Sequence, residues 1–152
     1  MTNINNVLDI IDVKKLFYAK SYNKSTNNCG LLNSFKNKIH RILLSQKQQF
    51  GRGDFYQSFN QLNIRGQRPT NYRIEKYNLS KYIDKNKTIL DIGNNVGFFD
   101  LTIANKVKSI TGIEYNESLS FIANLTKKFL DVKNVNFING DFNKITFQKK
   151  FI

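Results

Sequence analysis

The chain has 152 residues, with 24 Lys or Arg against 11 Asp or Glu, a net charge of +13, and 40% hydrophobic residues. That length suits one domain with a modest core or part of a larger one, and the composition is ordinary for a soluble globular protein. No run approaches the ~18 apolar residues of a membrane helix, the single cysteine, Cys29, excludes an internal disulfide, and no Cys/His cluster has metal-ligand spacing, so no metal is expected.

The opening MTNINNVLDIIDVKKLF has acids inside its apolar part and no charged segment before it, unlike a secretory signal, so a cytoplasmic location is expected. Ile4, Val7, Leu8, Ile11, Leu16 and Phe17 fall close to a helical stripe over residues 4–20. Residues 21–30 are polar turn formers and read as a loop. A second helix is predicted over 31–50, with Leu32, Phe35, Ile39, Ile42 and Leu43 on one face and Lys and Arg on the other. His40 lies among these basic residues with no acid or second ligand in view, which predicts a surface histidine. Residues 1–50 therefore read as a basic helical N-terminal region.

Residues 51–87 form an aromatic and arginine-rich lead-in segment. The Arg52-Gly53-Asp54 tripeptide and the Asn-x-Ser/Thr triplets need a secretory context to carry meaning, and none is in view. Pro69 fixes a turn before a short helix predicted around 70–82. Arg65, Arg68 and Arg73 have two readings, reaching an anionic group on a ligand or bracketing this helix. Tyr72, Tyr77 and Phe55 can stack on a base, although aromatics at this spacing belong to a core more often.

The positive charge is concentrated upstream: residues 1–87 hold 16 basic against 5 acidic side chains, and residues 88–152 hold 8 against 6. That permits a nucleic-acid partner. An Asn, Lys and Ile bias runs through the whole chain and accounts for a lysine excess equally well, so charge alone demonstrates no partner.

From residue 88 the rhythm is regular. TILDIG is a short buried-strand run, 97–107 a helix, 109–116 a second strand, 117–132 a helix and 134–142 a third strand. Strands and helices alternating at this interval predict an α/β fold with an open parallel sheet and right-handed crossovers. Ligands of such sheets lie at the carboxyl ends of the strands, and Asp91, Glu114 and Asp141 fall at or near those ends.

A glycine turn admits close approach of a ligand to the backbone, and the following helix offers N–H donors. A carboxylate closing the second strand can accept both hydroxyls of a ribose. One after the third can accept from the exocyclic amine of adenine. The bland alternative is that Asp91 and Asp141 cap helices or turns. A dinucleotide fingerprint wants G-x-G-x-x-G, but Asn95 and Phe98 stand at its second and third glycines, and no Lys follows Gly97 as a P-loop requires. An adenosine ligand with a positive centre and no phosphate fits the acid-lined turn better. S-adenosylmethionine is such a ligand.

The run ILDIGNNVGFFDL, GIEYN and VNFINGDF resembles the first half of a class I S-adenosylmethionine-dependent methyltransferase, over residues 88–142. The resemblance implies a Rossmann-like sheet with helices on both faces and strands ordered 3-2-1, residues 88–152 being the N-terminal half of the domain. It assigns Asp91, Gly93, Asn94, Asn95 and Gly97 to the methionine-side turn, Glu114 with Tyr115 to the ribose, and Asp141 with Phe142 to the adenine. Asn95 departs from the family's middle glycine. The resemblance further suggests that Phe151 and Ile152 begin strand four, that the chain stops before the acceptor half of the site, and that strand one is an apolar edge prone to association. Catalytic residues are not identified by it, and the methyl acceptor is left open among RNA, a sugar or small metabolite, and protein. Competing readings are a nicotinamide-cofactor oxidoreductase and a basic nucleic-acid-binding module on a degenerate Rossmann half.

Overall fold

The computed structural model of the chain describes residues 28–45 and 54–146. The helix expected over 4–20 and the strand expected at Phe151 and Ile152 lie outside them. The chain divides into two compact units, Met1–Asn37 and Lys38–Ile152. Helix α1 (Asn28–Leu44) begins inside the stretch expected to be a loop. Those polar residues show no apolar stripe, but the solvent side of a first turn needs none. In the second unit α1 contributes Ile39 and Leu43 to the buried apolar set.

Two three-residue strands follow, β1 (Phe55–Gln57) and β2 (Gly66–Arg68), paired in parallel with Phe55 opposite Gly66 and Gln57 opposite Arg68. Neither is expected from the sequence, because three residues are too few for an alternation to register. Their connection is a 3-10 turn at Asn60–Leu62 closed by Asn63 in the left-handed region, φ 49°. Ser58 then ties this layer to the next helix. Its hydroxyl accepts from the Thr70 N–H at 2.8 Å, and its carbonyl accepts from the Thr70 hydroxyl at 2.6 Å.

Helix α2 (Thr70–Lys76) is shorter than the predicted 70–82. Asn78 turns left-handed at φ 49°, and a separate 3-10 turn occupies Leu79–Tyr82. Asparagine is among the few residues that visit this region readily, which makes it a frequent helix stop.

The main sheet has three parallel strands, β3 (Thr88–Ile92), β4 (Ser109–Glu114) and β5 (Val135–Asn139), with β4 in the middle. This is the expected 3-2-1 order of an α/β, Rossmann-like sheet. The crossovers carry α3 (Phe98–Ile103), extended by a 3-10 turn at Ala104–Lys106, and α4 (Glu117–Leu130). Ile110 and Ile113 of β4, Val135 and Phe137 of β5, and Ile122 and Ala123 of α4 are all buried. Each large apolar side chain so buried contributes about 1.5–3 kcal/mol. Among the described residues β3 pairs only with β4, and its final Ile92 is exposed.

Candidate cofactor site at the strand ends

The register brings Asp91 beside Gly112 and Glu114 beside Asn139, at the carboxyl edge of the sheet. Between β3 and α3 the chain reverses through three left-handed residues, Gly93 (φ 76°), Asn95 (φ 57°) and Gly97 (φ 69°). Asn95, the departure from the glycine pattern, keeps the backbone conformation a glycine would supply. Asparagine tolerates it better than most residues. Gly97 is required twice over, because a Cβ there would also stand 2.4 Å from the Phe137 ring. At Gly93 a Cβ would meet nothing within 4 Å, so the space over that residue is open.

The N–H groups of the turn are largely committed to protein acceptors. Gly93 and Asn94 donate to the Ile113 carbonyl at 2.8 and 3.2 Å, and Gly97 donates to the Asn94 carbonyl at 2.9 Å. Asn95 donates to Glu114 Oε2 at 2.9 Å. The first turn of α3 has no local side-chain cap, since Gly97 occupies the N-cap. Its donors go instead to Gln57 of β1, whose Oε1 accepts from the N–H groups of Phe98 at 2.9 Å and Phe99 at 3.3 Å. The Gln57 amide nitrogen donates to the Asn94 carbonyl at 3.4 Å. One buried side chain from the lead-in segment thus bridges both ends of the turn. The first residue of α3 packs on the same segment: the Phe98 ring stacks 4.9 Å from Phe59 and lies tilted 5.2 Å from Phe55.

Under the turn lies an acid pair. Asp100, in the first turn of α3, is fully buried beside Asp91, and its carboxyl oxygens meet no hydrogen-bond partner among the described residues. Burial, then the Asp91 charge, push the Asp100 acid up to about 9. Asp91 is itself raised by burial, against the lowering effects of the neighbouring Asp100 acid and of the Arg73 guanidinium. Burial and the neighbouring acid thus keep a proton on Asp100 at neutral pH. A Cβ on Gly112 would stand 2.7 Å from Asp100 Oδ2 and 2.9 Å from Asn94 Cγ, so both side chains crowd the same bare stretch of β4. Asn94 is buried, and its amide atoms meet no hydrogen-bond partner among the described residues.

Glu114 is half-buried at the end of β4. Besides Asn95, it accepts from the Asn116 N–H through Oε1 at 2.8 Å. Each oxygen retains a lone pair for a further donor. Tyr115 projects into solvent, and the Asn139 amide ties its carbonyl and that of Glu114 to β5 at 3.1 and 2.9 Å. Asp141 caps a 3-10 turn at Phe142–Lys144, accepting from the Asn143 N–H at 3.0 Å, and lies 3.9 Å from the Lys144 ammonium. Phe142 is exposed.

Of the upstream candidates, Arg73 reaches this site, its guanidinium 6.0 Å from the Phe99 ring and felt by Asp91. Arg65 and Arg68 are exposed. Phe55 is core, as the spacing suggested, whereas Tyr72 and Tyr77 are exposed, against that expectation. His40 is half-buried with its ring 6.0 Å from Phe55, rather than free on the surface. Gln57 and Asp100 were not singled out from the sequence. Asp100 leaves a faint signal, an acid among Phe98, Leu101 and Ile103, while Gln57 leaves none locally. Among the described residues no group of three or more His, Cys, Asp or Glu could hold a metal, and no helix is long and apolar enough to cross a membrane.

No protein-family model matches the chain. A curated protein of Mycoplasma mobile named "Uncharacterized RNA methyltransferase MMOB5020" is 43% identical over 72 residues, 47% of this chain and 20% of that protein. The chain thus spans about a fifth of the length of that relative. Among solved structures, WbdD superposes with a TM-score of 0.50 at 20% identity, covering 67% of this chain and 24% of its own. A SAM-dependent methyltransferase from Aquifex aeolicus gives a TM-score of 0.42 at 23% identity, covering 49% and 44%. The strand order and the superposition on WbdD agree on a Rossmann-like α/β fold for residues 88–142, and the curated match adds a local similarity to a protein named an RNA methyltransferase.

Proposed function

We propose that the chain belongs to a cytoplasmic enzyme that binds S-adenosylmethionine at the turn after β3 and transfers its methyl group to RNA. The observation that carries the reading is the commitment of the turn's donors. In a dinucleotide fold the helix N-terminus offers its N–H groups to a pyrophosphate. Here Gln57 accepts from two of them and Glu114 from a third, and acids line the turn. An anionic phosphate meets few donors and several carboxyl groups; a cationic sulfonium and an ammonium meet a favourable field.

When bound, S-adenosylmethionine supplies an electrophilic methyl group on a positively charged sulfur. Asp91, at the strand end beside the turn, borders the cationic end of the ligand. The open space over Gly93 admits the ligand against the backbone. Glu114 accepts the ribose hydroxyls through its remaining lone pairs, and Asp141 with Phe142 borders the adenine. Arg73 is placed to meet the methionine carboxylate. The lead-in segment acts as part of this site through Gln57 and Arg73. RNA as acceptor is supported by the similarity to a protein named an RNA methyltransferase and by the charge of +13.

Calorimetric titration with S-adenosylhomocysteine, NAD and ATP tests the cofactor. Binding of the first alone is expected, weakened by about 1–3 kcal/mol in Glu114→Ala through unpaired hydroxyls. Tight binding of NAD or ATP, or an unchanged affinity in the variant, would overturn the assignment.

A further inference from the structure

We propose that the solvent face of α2 and the 3-10 turn after it is a docking surface for single-stranded RNA. The inference rests on the RNA reading of the acceptor and locates where that acceptor lies. Three large aromatic rings stand open to solvent within eleven residues: Tyr72, Tyr77 and Tyr82, at 56%, 59% and 61% exposure. Burying such rings is worth more than leaving them in water, so a cluster of them marks a surface that something covers.

The covering partner is anionic. Lys76 places its ammonium 5.5 Å from the Tyr72 ring centre and 6.0 Å from that of Tyr77, and Lys81 lies 4.8 Å from the Tyr82 ring. Residues 65–87 hold seven Lys or Arg against two acids. Rings interleaved with ammonium groups match the needs of a single strand, whose bases stack while its phosphates are neutralised. A duplex hides its bases and profits only from the charge. The surface is also continuous with the site, because Arg73 of the same helix faces Phe99 and Asp91. A strand lying on this face is led toward the carboxyl edge of the sheet.

Fluorescence anisotropy of a labelled A/U single strand of about 12 nucleotides, roughly one small binding site, tests the proposal on the full chain. A duplex of equal length serves as the control. The single strand should bind more tightly than the duplex. Tyr72→Ala with Tyr77→Ala should weaken the single strand about tenfold and leave duplex binding unchanged, while the paired Phe substitutions retain affinity. Lys76→Ala with Lys81→Ala should instead flatten the dependence of log K on log salt by about 1.4.

The tyrosines are exposed, so their loss leaves folding intact, and S-adenosylhomocysteine affinity should stay that of the parent chain. Equal single-strand binding by the Ala pair, a preference for duplex, or no binding at about 50 mM salt would overturn the proposal. A chain that binds the strand through the tyrosines yet never binds S-adenosylhomocysteine would sink the cofactor reading alone.

Discussion

Helices α3 and α4 both begin just past the carboxyl end of a strand, and they are capped in opposite ways. At α4 the cap is local: Asn116 Oδ1 accepts from the N–H groups of Ser118 and Leu119 at 3.0 and 3.1 Å. At α3 the N-cap is Gly97, left-handed and pressed against Phe137, and it has no side chain to offer. The cap arrives from Gln57, 41 residues upstream of Phe98. A turn shaped for close approach has given up its own capping group, and the lead-in segment restores it. First-turn acids differ in the same sense. Glu117 of α4 is exposed, where the helix dipole favours its charge. Asp100 of α3 is buried and keeps its proton, because desolvation and the Asp91 charge outweigh that dipole.

The largest effect should come from removing the aromatic stack beside the remote cap. Phe98→Ala leaves a void between Phe55 and Phe59 and should cost about 3–5 kcal/mol in urea unfolding. A loss below about 1 kcal/mol, the scale of a surface substitution, would mean that the lead-in segment does not depend on this stack.

Gln57→Ala should cost about 1–3 kcal/mol, since it strands the Phe98 and Phe99 donors in a buried place. It should also weaken S-adenosylhomocysteine in calorimetry, and Gln57→Glu should recover much of that affinity by restoring the acceptor. Stability lost with ligand affinity intact would show the cap to be structural only.

The acid pair sets a pH dependence. Asp100 titrates near 9 in the folded chain against an ordinary 3.8, so the folded state holds the extra proton between those values. Stability contributed by that proton is full at low pH, falls as pH rises from about 4 to about 9, and flattens above, by at most about 1.4 kcal/mol per pH unit. Asp100→Asn, neutral at every pH, should flatten the fall in thermal unfolding measured from pH 6 to 9. An unchanged slope would place the titrating proton elsewhere.

Asn116→Ala should have the smallest effect, about 1 kcal/mol, the ordinary worth of a local cap. Ligand affinity should be untouched, because Glu114 accepts from the Asn116 backbone and not from its side chain.

What could be read in advance follows the same division. The sheet is legible because its information is local. Ile89, Leu90 and Ile92 before a glycine, and Ile110, Thr111 and Ile113 before Glu114, announce strands by composition, and the helices between them by spacing. Of these two strands only β4 has buried isoleucines; β3, expected to be buried, is half-exposed with Ile92 open. The strand-end acids are legible for the same reason, since parallel topology carries them to one edge. Gln57 is not, because nothing in FYQ distinguishes a capping amide from a surface one until the chain has folded. Asp100 was hidden by its helical position, where an acid in a first turn ordinarily faces water. Tyr72 and Tyr77 were misjudged because spacing reports which residues share a helix face, and not which face is covered.

The remote cap also sets an order of events in time. The pairings of the main sheet, such as Thr88 with Ser109 and Ile110 with Val135, close shorter loops than the one that reaches back to Gln57. The bonds from Phe98 and Phe99 to Gln57 close a loop of some forty residues, which costs more entropy and forms later. The turn is therefore expected to lock no earlier than the sheet pairs, which later protection of the Phe98 and Phe99 N–H groups than of the β4 amides in pulse-labelled hydrogen exchange would show.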